Sequence, residues 1–120
     1  MTEELPPRLR NMVSQLQQLQ QQAQVIHTQR RQYEIQLAET ERALEELNKV
    51  KDDAEVRAYK MIGNVLVTKG VNEIINELED RKESLETRIK TLSNQESRIM
   101  KKIQDLQEKI RTEIGGVGAG

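Results

Sequence analysis

Tyr59-Lys60-Met61-Ile62-Gly63-Asn64-Val65-Leu66-Val67-Thr68 sets two apolar, β-prone runs on either side of a Gly-Asn pair. Glycine as the first of two loop residues suits a type II′ turn, whose twist matches that of paired strands. The run reads as a β-hairpin, the one segment of sheet in the chain. With Gly63 and Asn64 as the loop, Ile62 lies opposite Val65, Met61 opposite Leu66, Lys60 opposite Val67 and Tyr59 opposite Thr68. Opposite residues share a face, so both faces carry apolar side chains. A lone hairpin is marginal in water and leaves two open edges, so something must cover it. The expected cover is the same hairpin from other subunits, which makes Tyr59, Met61, Ile62, Gly63, Val65, Leu66 and Val67 an oligomerisation surface.

Outward from the hairpin, the chain is a pair of heptad helices. Pro7 can open the first helix, because proline at the first helical position gives up an amide that had no partner. One frame then holds without a stutter, with a at Leu9, Leu16, Ala23, Arg30, Leu37, Leu44 and Lys51. Its d positions are Met12, Leu19, Ile26, Tyr33, Thr40, Leu47 and Ala54. A second seam carries Ile75, Lys82, Ile89, Glu96, Ile103 and Ile110 at a, and Leu78, Leu85, Leu92, Ile99, Leu106 and Glu113 at d. Gly70 or Asn72 can cap this second helix, with Glu73 favourably placed in its first turn. The expected layout is a single domain over 1–120, with helix one over 7–56, the hairpin over 57–69, helix two over 72–114 and a flexible Gly-rich tail over 115–120.

Because the hairpin reverses the chain, the helices run antiparallel. The shared frame pairs Leu44 with Leu85, Leu47 with Lys82, Leu37 with Leu92, Ile26 with Ile103 and Leu19 with Ile110, although a slip of seven residues satisfies the same frame. It also brings Arg30 and Tyr33 near Glu96, so that a cation and a phenol answer an otherwise costly seam carboxylate. Helix one at 1.5 Å per residue is an arm of roughly 70 Å.

At the end away from the hairpin, Met12 would need residue 117 and Leu9 residue 120, both inside the glycine-rich tail. Leu5, Leu9, Met12, Val13 and Leu16, with Ile110, Ile114 and Val117 opposite, are therefore expected to lack a full partner helix. Exposed apolar patches on soluble proteins usually mean binding. The competing view, a frayed chain end, predicts polar residues there.

Composition narrows the class. The 120 residues are 35% hydrophobic and 32% charged, against roughly 45–50% apolar in ordinary domains, which suits narrow helix seams better than a globular core. Nineteen basic and twenty acidic residues give a net charge of −1, with no general attraction for nucleic acid or anionic membranes. There is no cysteine, no run long enough to span a bilayer and no leader-like N-terminus, so a cytoplasmic location is expected. No phosphate-cradling loop, paired metal ligands or activated nucleophile is present, and a non-enzyme without cofactor or metal is expected. His27 falls at e with no second histidine, as an ordinary surface residue. The glutamines from Gln15 to Gln24 avoid a and d and read as a solvated helix face.

Tyr59-Lys60, Gly63 and Leu66-Val67, midway between two matched heptad helices, resemble the central signature of β-class prefoldin subunits, and the likeness spans nearly the whole chain. The resemblance implies a hexamer of two α and four β subunits whose hairpins join an intersubunit β-barrel. It implies an ATP-independent holdase whose coiled-coil tips capture unfolded client proteins and deliver them to a group II chaperonin. The link Lys69-Gly70-Val71-Asn72 departs from the more acidic or proline-containing turn of many relatives, which bears on the helix cap. Two other classes compete: a structural coiled-coil adaptor that binds no client, and a transcription factor with a coiled-coil finger. The second needs acidic residues at its turn, and this turn reads Ile62-Gly63-Asn64-Val65.

Overall fold

In the computed structural model, residues 5–119 are described, with side chains through residue 116. The order is α1 (Pro7–Val50), β1 (Ala58–Ile62), β2 (Val65–Lys69) and α2 (Val71–Ala119). The expected class holds: two long helices with a β-hairpin between them. Arg10 N donates to Pro6 O at 3.0 Å, closing the first turn with Pro7 in the position that needs no amide. Gly70 caps α2, its carbonyl accepting from Ile74 N at 3.1 Å, and Glu73 lies in the first turn.

The hairpin register is as expected, from Tyr59 opposite Thr68 to Ile62 opposite Val65, and extends to Ala58 opposite Lys69. Gly63 has φ +59°, and among the described residues no non-glycine residue has positive φ. Type I′ would need positive φ at both loop residues, so the turn belongs to the II′ pattern.

The backbone gathers into two units, Met1–Arg30 with Thr91–Gly120 and Arg31–Lys90. In each, every a and d position from Leu9 to Leu47 and from Ile75 to Glu113 is buried or half-buried, and every glutamine from Gln15 to Gln24 is exposed. Thr40, a seam polar residue, is buried with its hydroxyl donating to Gln36 O at 2.8 Å. The heptad frame therefore holds over both helices, while its last two expected positions in helix one, Lys51 and Ala54, are exposed beyond the end of α1.

The pairing across the seam is displaced by one heptad from the one expected. Within Arg31–Lys90, Arg88 Nη1 lies 3.5 Å from Tyr33 OH and Arg81 Nη2 lies 3.4 Å from Gln36 Oε1, while Ala43 and Leu47 line one cavity with Ile74 and Leu78. Within the other unit, Arg8 Nη2 lies 3.4 Å from Glu113 Oε1. These contacts fit a register that sets Leu44 against Leu78, Leu37 against Leu85, Met12 against Ile110 and Leu9 against Glu113. Within Arg31–Lys90 this register accords with the early end of α1, at Val50 rather than near 56. Asp53 N donates to Val50 O at 3.1 Å, Val56 N donates to Asp53 O at 3.2 Å, and the Asp53 carboxylate accepts from Glu55 N at 3.0 Å. These tight turns compete with helix, and Asp52 and Asp53 also sit unfavourably at the negative end of the helix dipole.

At its other end α2 continues to Ala119, past the point where a glycine-rich tail was expected to begin. A Cβ at Gly115 or Gly116 would meet nothing within 4 Å, so neither glycine is there for close packing.

Candidate binding surfaces

The hairpin is built by local chemistry and held at its root. Residues 58, 60 and 62 share one face with 65, 67 and 69, and Tyr59 and Met61 share the other with Leu66 and Thr68. At the root, Ala58 is buried, as is Ile74 on the first turn of α2. Lys60 Nζ lies 3.0 Å from Glu77 Oε2, and Lys69 makes a short ion pair with the other oxygen of the same carboxylate. The Lys69 hydrogen bond, then that of Lys60, holds the Glu77 carboxyl below its ordinary value, and Glu77 in turn raises Lys69. One carboxylate on α2 thus ties down both strands.

Beyond that root the hairpin is uncovered within the chain. Met61 and Leu66, opposite one another, are 63% and 61% exposed, and Tyr59, Ile62, Val65 and Val67 are exposed as well. All the apolar residues expected to form the oligomerisation surface stand together on these two strands, around the Gly63 turn. The groove at its base is lined by Leu47, Ala58, Tyr59, Met61, Ile74 and Leu78 together with the charged Glu46, Lys60, Glu77 and Arg81.

The residues expected at the distal tips divide. Leu5 and Ile114 are exposed, Val13, Leu16 and Ile110 are half-buried, and the Val117 side chain lies outside the described side chains. Leu9 and Met12 are corrected: they are 2% and 9% exposed, covered within their own unit. A register displaced by one heptad accounts for it, since that register sets Met12 against Ile110 instead of residue 117.

At the end of that unit marked by Arg30 sits the polar layer. Arg30 Nε donates to Glu96 Oε2 at 2.8 Å, with the two side chains 19% and 23% exposed. The Arg30 hydrogen bond holds the Glu96 carboxyl below its ordinary value, outweighing the burial that pushes it up. His27 Nδ1 lies 3.0 Å from Arg30 Nη2 and 3.5 Å from Glu96 Oε1. Tyr33 instead meets Arg88, whose guanidinium lies 5.6 Å from the ring centroid. Among the described residues no three His, Cys, Asp or Glu side chains are grouped to hold a metal ion. No helix there is long and apolar enough to cross a membrane.

Sequence reasoning missed the Glu77 clamp, whose residues are separated by the turn of the hairpin and follow no short motif. It also passed over Val25, Ile35 and Met100, exposed apolar side chains outside the a and d positions. Their off-seam placement was the available signal.

Residues 10–116 match the family described as prefoldin subunit. A prefoldin subunit beta of Archaeoglobus fulgidus is 49% identical over 108 residues, covering 90% of this chain and 91% of the relative. The prefoldin subunit beta of Methanosarcina acetivorans is 41% identical over 115 residues, covering 96% and 97%. Among solved structures, the prefoldin beta subunit from Thermococcus strain KS-1 superposes with a TM-score of 0.84 at 29% identity, over 93% of this chain and 96% of that one.

Proposed function

Because the chain belongs to the prefoldin β-subunit family, we propose that it is a non-enzymatic subunit of an ATP-independent holdase. It would capture unfolded client proteins in the cytoplasm and deliver them to a group II chaperonin. In this reading four copies join two α subunits, and their hairpins close into a shared β-barrel. The observation that carries the assembly half is the uncovered hairpin. Six apolar side chains, Tyr59, Met61, Ile62, Val65, Leu66 and Val67, stand exposed on two short strands with open edges, an arrangement that asks for further strands.

The capture half rests on the ends of the helices away from the hairpin. Leu5 and Ile114 offer open apolar surface, with Val13, Leu16 and Ile110 partly so. Each such side chain contributes up to roughly 1.5–3 kcal/mol when buried, less the entropy of ordering both chains. One subunit therefore binds weakly, and several on one platform bind well through effective concentration.

The test is aggregation suppression with a denatured client, run on the chain alone and then with an α-class partner. Protection should need no ATP and should rise sharply on assembly. An assembled complex that leaves client aggregation unchanged would overturn the holdase reading in favour of a structural adaptor.

A further inference from the structure

Between Arg10 and Arg30, α1 carries no Lys, Arg, Asp or Glu, in a chain that is 32% charged. Gln15, Gln17, Gln18, Gln20, Gln21, Gln22 and Gln24 are all exposed along this stretch. Solvation alone would be served as well by Glu or Lys, which have equal helix propensity and fill the outer faces elsewhere in the chain. Within the same unit, Gln18, Gln21 and Gln22 rim a shallow groove of about 410 Å³ whose apolar residues are Val25, Ile26 and Ile99. Val25 lies outside the seam and is 57% exposed. The lining is uncharged throughout.

This combination fits one kind of occupant. A primary amide presents two donors and an acceptor on a side chain of fixed neutrality. A row of such amides beside an aliphatic strip complements an extended main chain with unpaired N–H and C=O groups and scattered apolar side chains. It does so without regard to the sign of that chain's charge, because it offers no charge to attract or repel. A folded partner helix would present no free main-chain groups and would gain little from the glutamines.

We propose that the Gln18-Gln21-Gln22 rim with Val25, Ile26 and Ile99 is a second client groove, taking an extended segment of non-native polypeptide of either charge. The inference rests on the holdase reading. It adds a contact away from the tips and assigns the glutamine run a role in charge-blind capture.

The experiment uses the full chain assembled with its α-class partner and two denatured clients, one strongly acidic and one strongly basic. Gln18→Glu, Gln21→Glu and Gln22→Glu together keep helix propensity and should leave complex size and helicity unchanged. Protection of the acidic client should fall several-fold while the basic client is protected at least as well. The corresponding Gln→Lys set should reverse the preference. A photo-cross-linking residue at Gln22 of the otherwise native chain should join to both clients. Equal protection of both clients by all variants would overturn the proposal, as would cross-links formed only to another copy of the chain or not at all. If the unmodified complex protects neither client, the holdase reading itself fails, an outcome separate from a working chaperone indifferent to these substitutions.

Discussion

Leu66→Asp and Met61→Asp put the hairpin assignment to its most direct test. Six apolar side chains on β1 and β2 are between 37% and 63% exposed in the single chain. Covering the open half of each contributes about 0.7–1.5 kcal/mol, half of the roughly 1.5–3 kcal/mol for complete burial, so one hairpin brings on the order of 4–9 kcal/mol to an assembly. That is comparable with the estimated 4–15 kcal/mol cost of lost translation and rotation, so assembly has little to spare. An aspartate at position 66 removes one apolar contribution and adds an unpaired carboxylate costing several kcal/mol if the site is closed. A combined loss of about 4 kcal/mol weakens association roughly a thousandfold. In the isolated chain the same side chain faces solvent at 61% exposure, so helicity should not change. Sedimentation velocity, with circular dichroism on the same samples, should find folded chain or small species in place of the full complex. Either variant running at the full size of the parent would refute the assignment.

Three further outcomes follow from the geometry. Leu9→Ala should destabilise the chain by about 2 kcal/mol, the low end of the range for buried leucine because a single seam can partly collapse; unchanged urea unfolding would mean that position 9 is not packed as described. Since Glu96 titrates below its ordinary value in the folded chain, its ion-pair contribution should be complete above the unfolded carboxyl pKa and vanish as pH falls through the folded one. A double-mutant cycle of Arg30→Met and Glu96→Leu should accordingly find coupling of about 0.5–3 kcal/mol at pH 7 that fades as pH falls through the folded carboxyl pKa, and strict additivity at pH 7 would contradict the pair. Gly63→Ala meets no steric neighbour but must hold φ near +59°, so it should cost about 1–2 kcal/mol of hairpin stability, visible as faster amide exchange in β1 and β2.

Much of this protein was legible in the chain itself, because the signals involved are local or periodic. A Gly-Asn pair between β-prone runs specifies the turn, and the turn specifies every pair from Tyr59 and Thr68 inward. The seven-residue repeat names the buried and half-buried stripe from Leu9 to Leu47 and from Ile75 to Glu113, down to the polar members Arg30, Thr40, Lys82 and Glu96. What a repeat cannot specify is its own origin. Moving one helix by seven residues along the other leaves every a and d match formally intact, and Arg30 remains within reach of Glu96 in either arrangement. Only the folded chain settled the register, through the turn in which Asp53 accepts from Glu55 N and α1 stops at Val50. Within Arg31–Lys90 that stop accords with a seam shifted by a heptad; within the other unit Arg8 lies beside Glu113, and Leu9 and Met12 are buried where unpaired ends were expected. Convergence of Lys60 and Lys69 on Glu77 likewise belongs to tertiary structure, since it depends on how the hairpin meets α2. Periodicity identifies which side of each helix is buried; the connection between the helices decides what each buried residue meets.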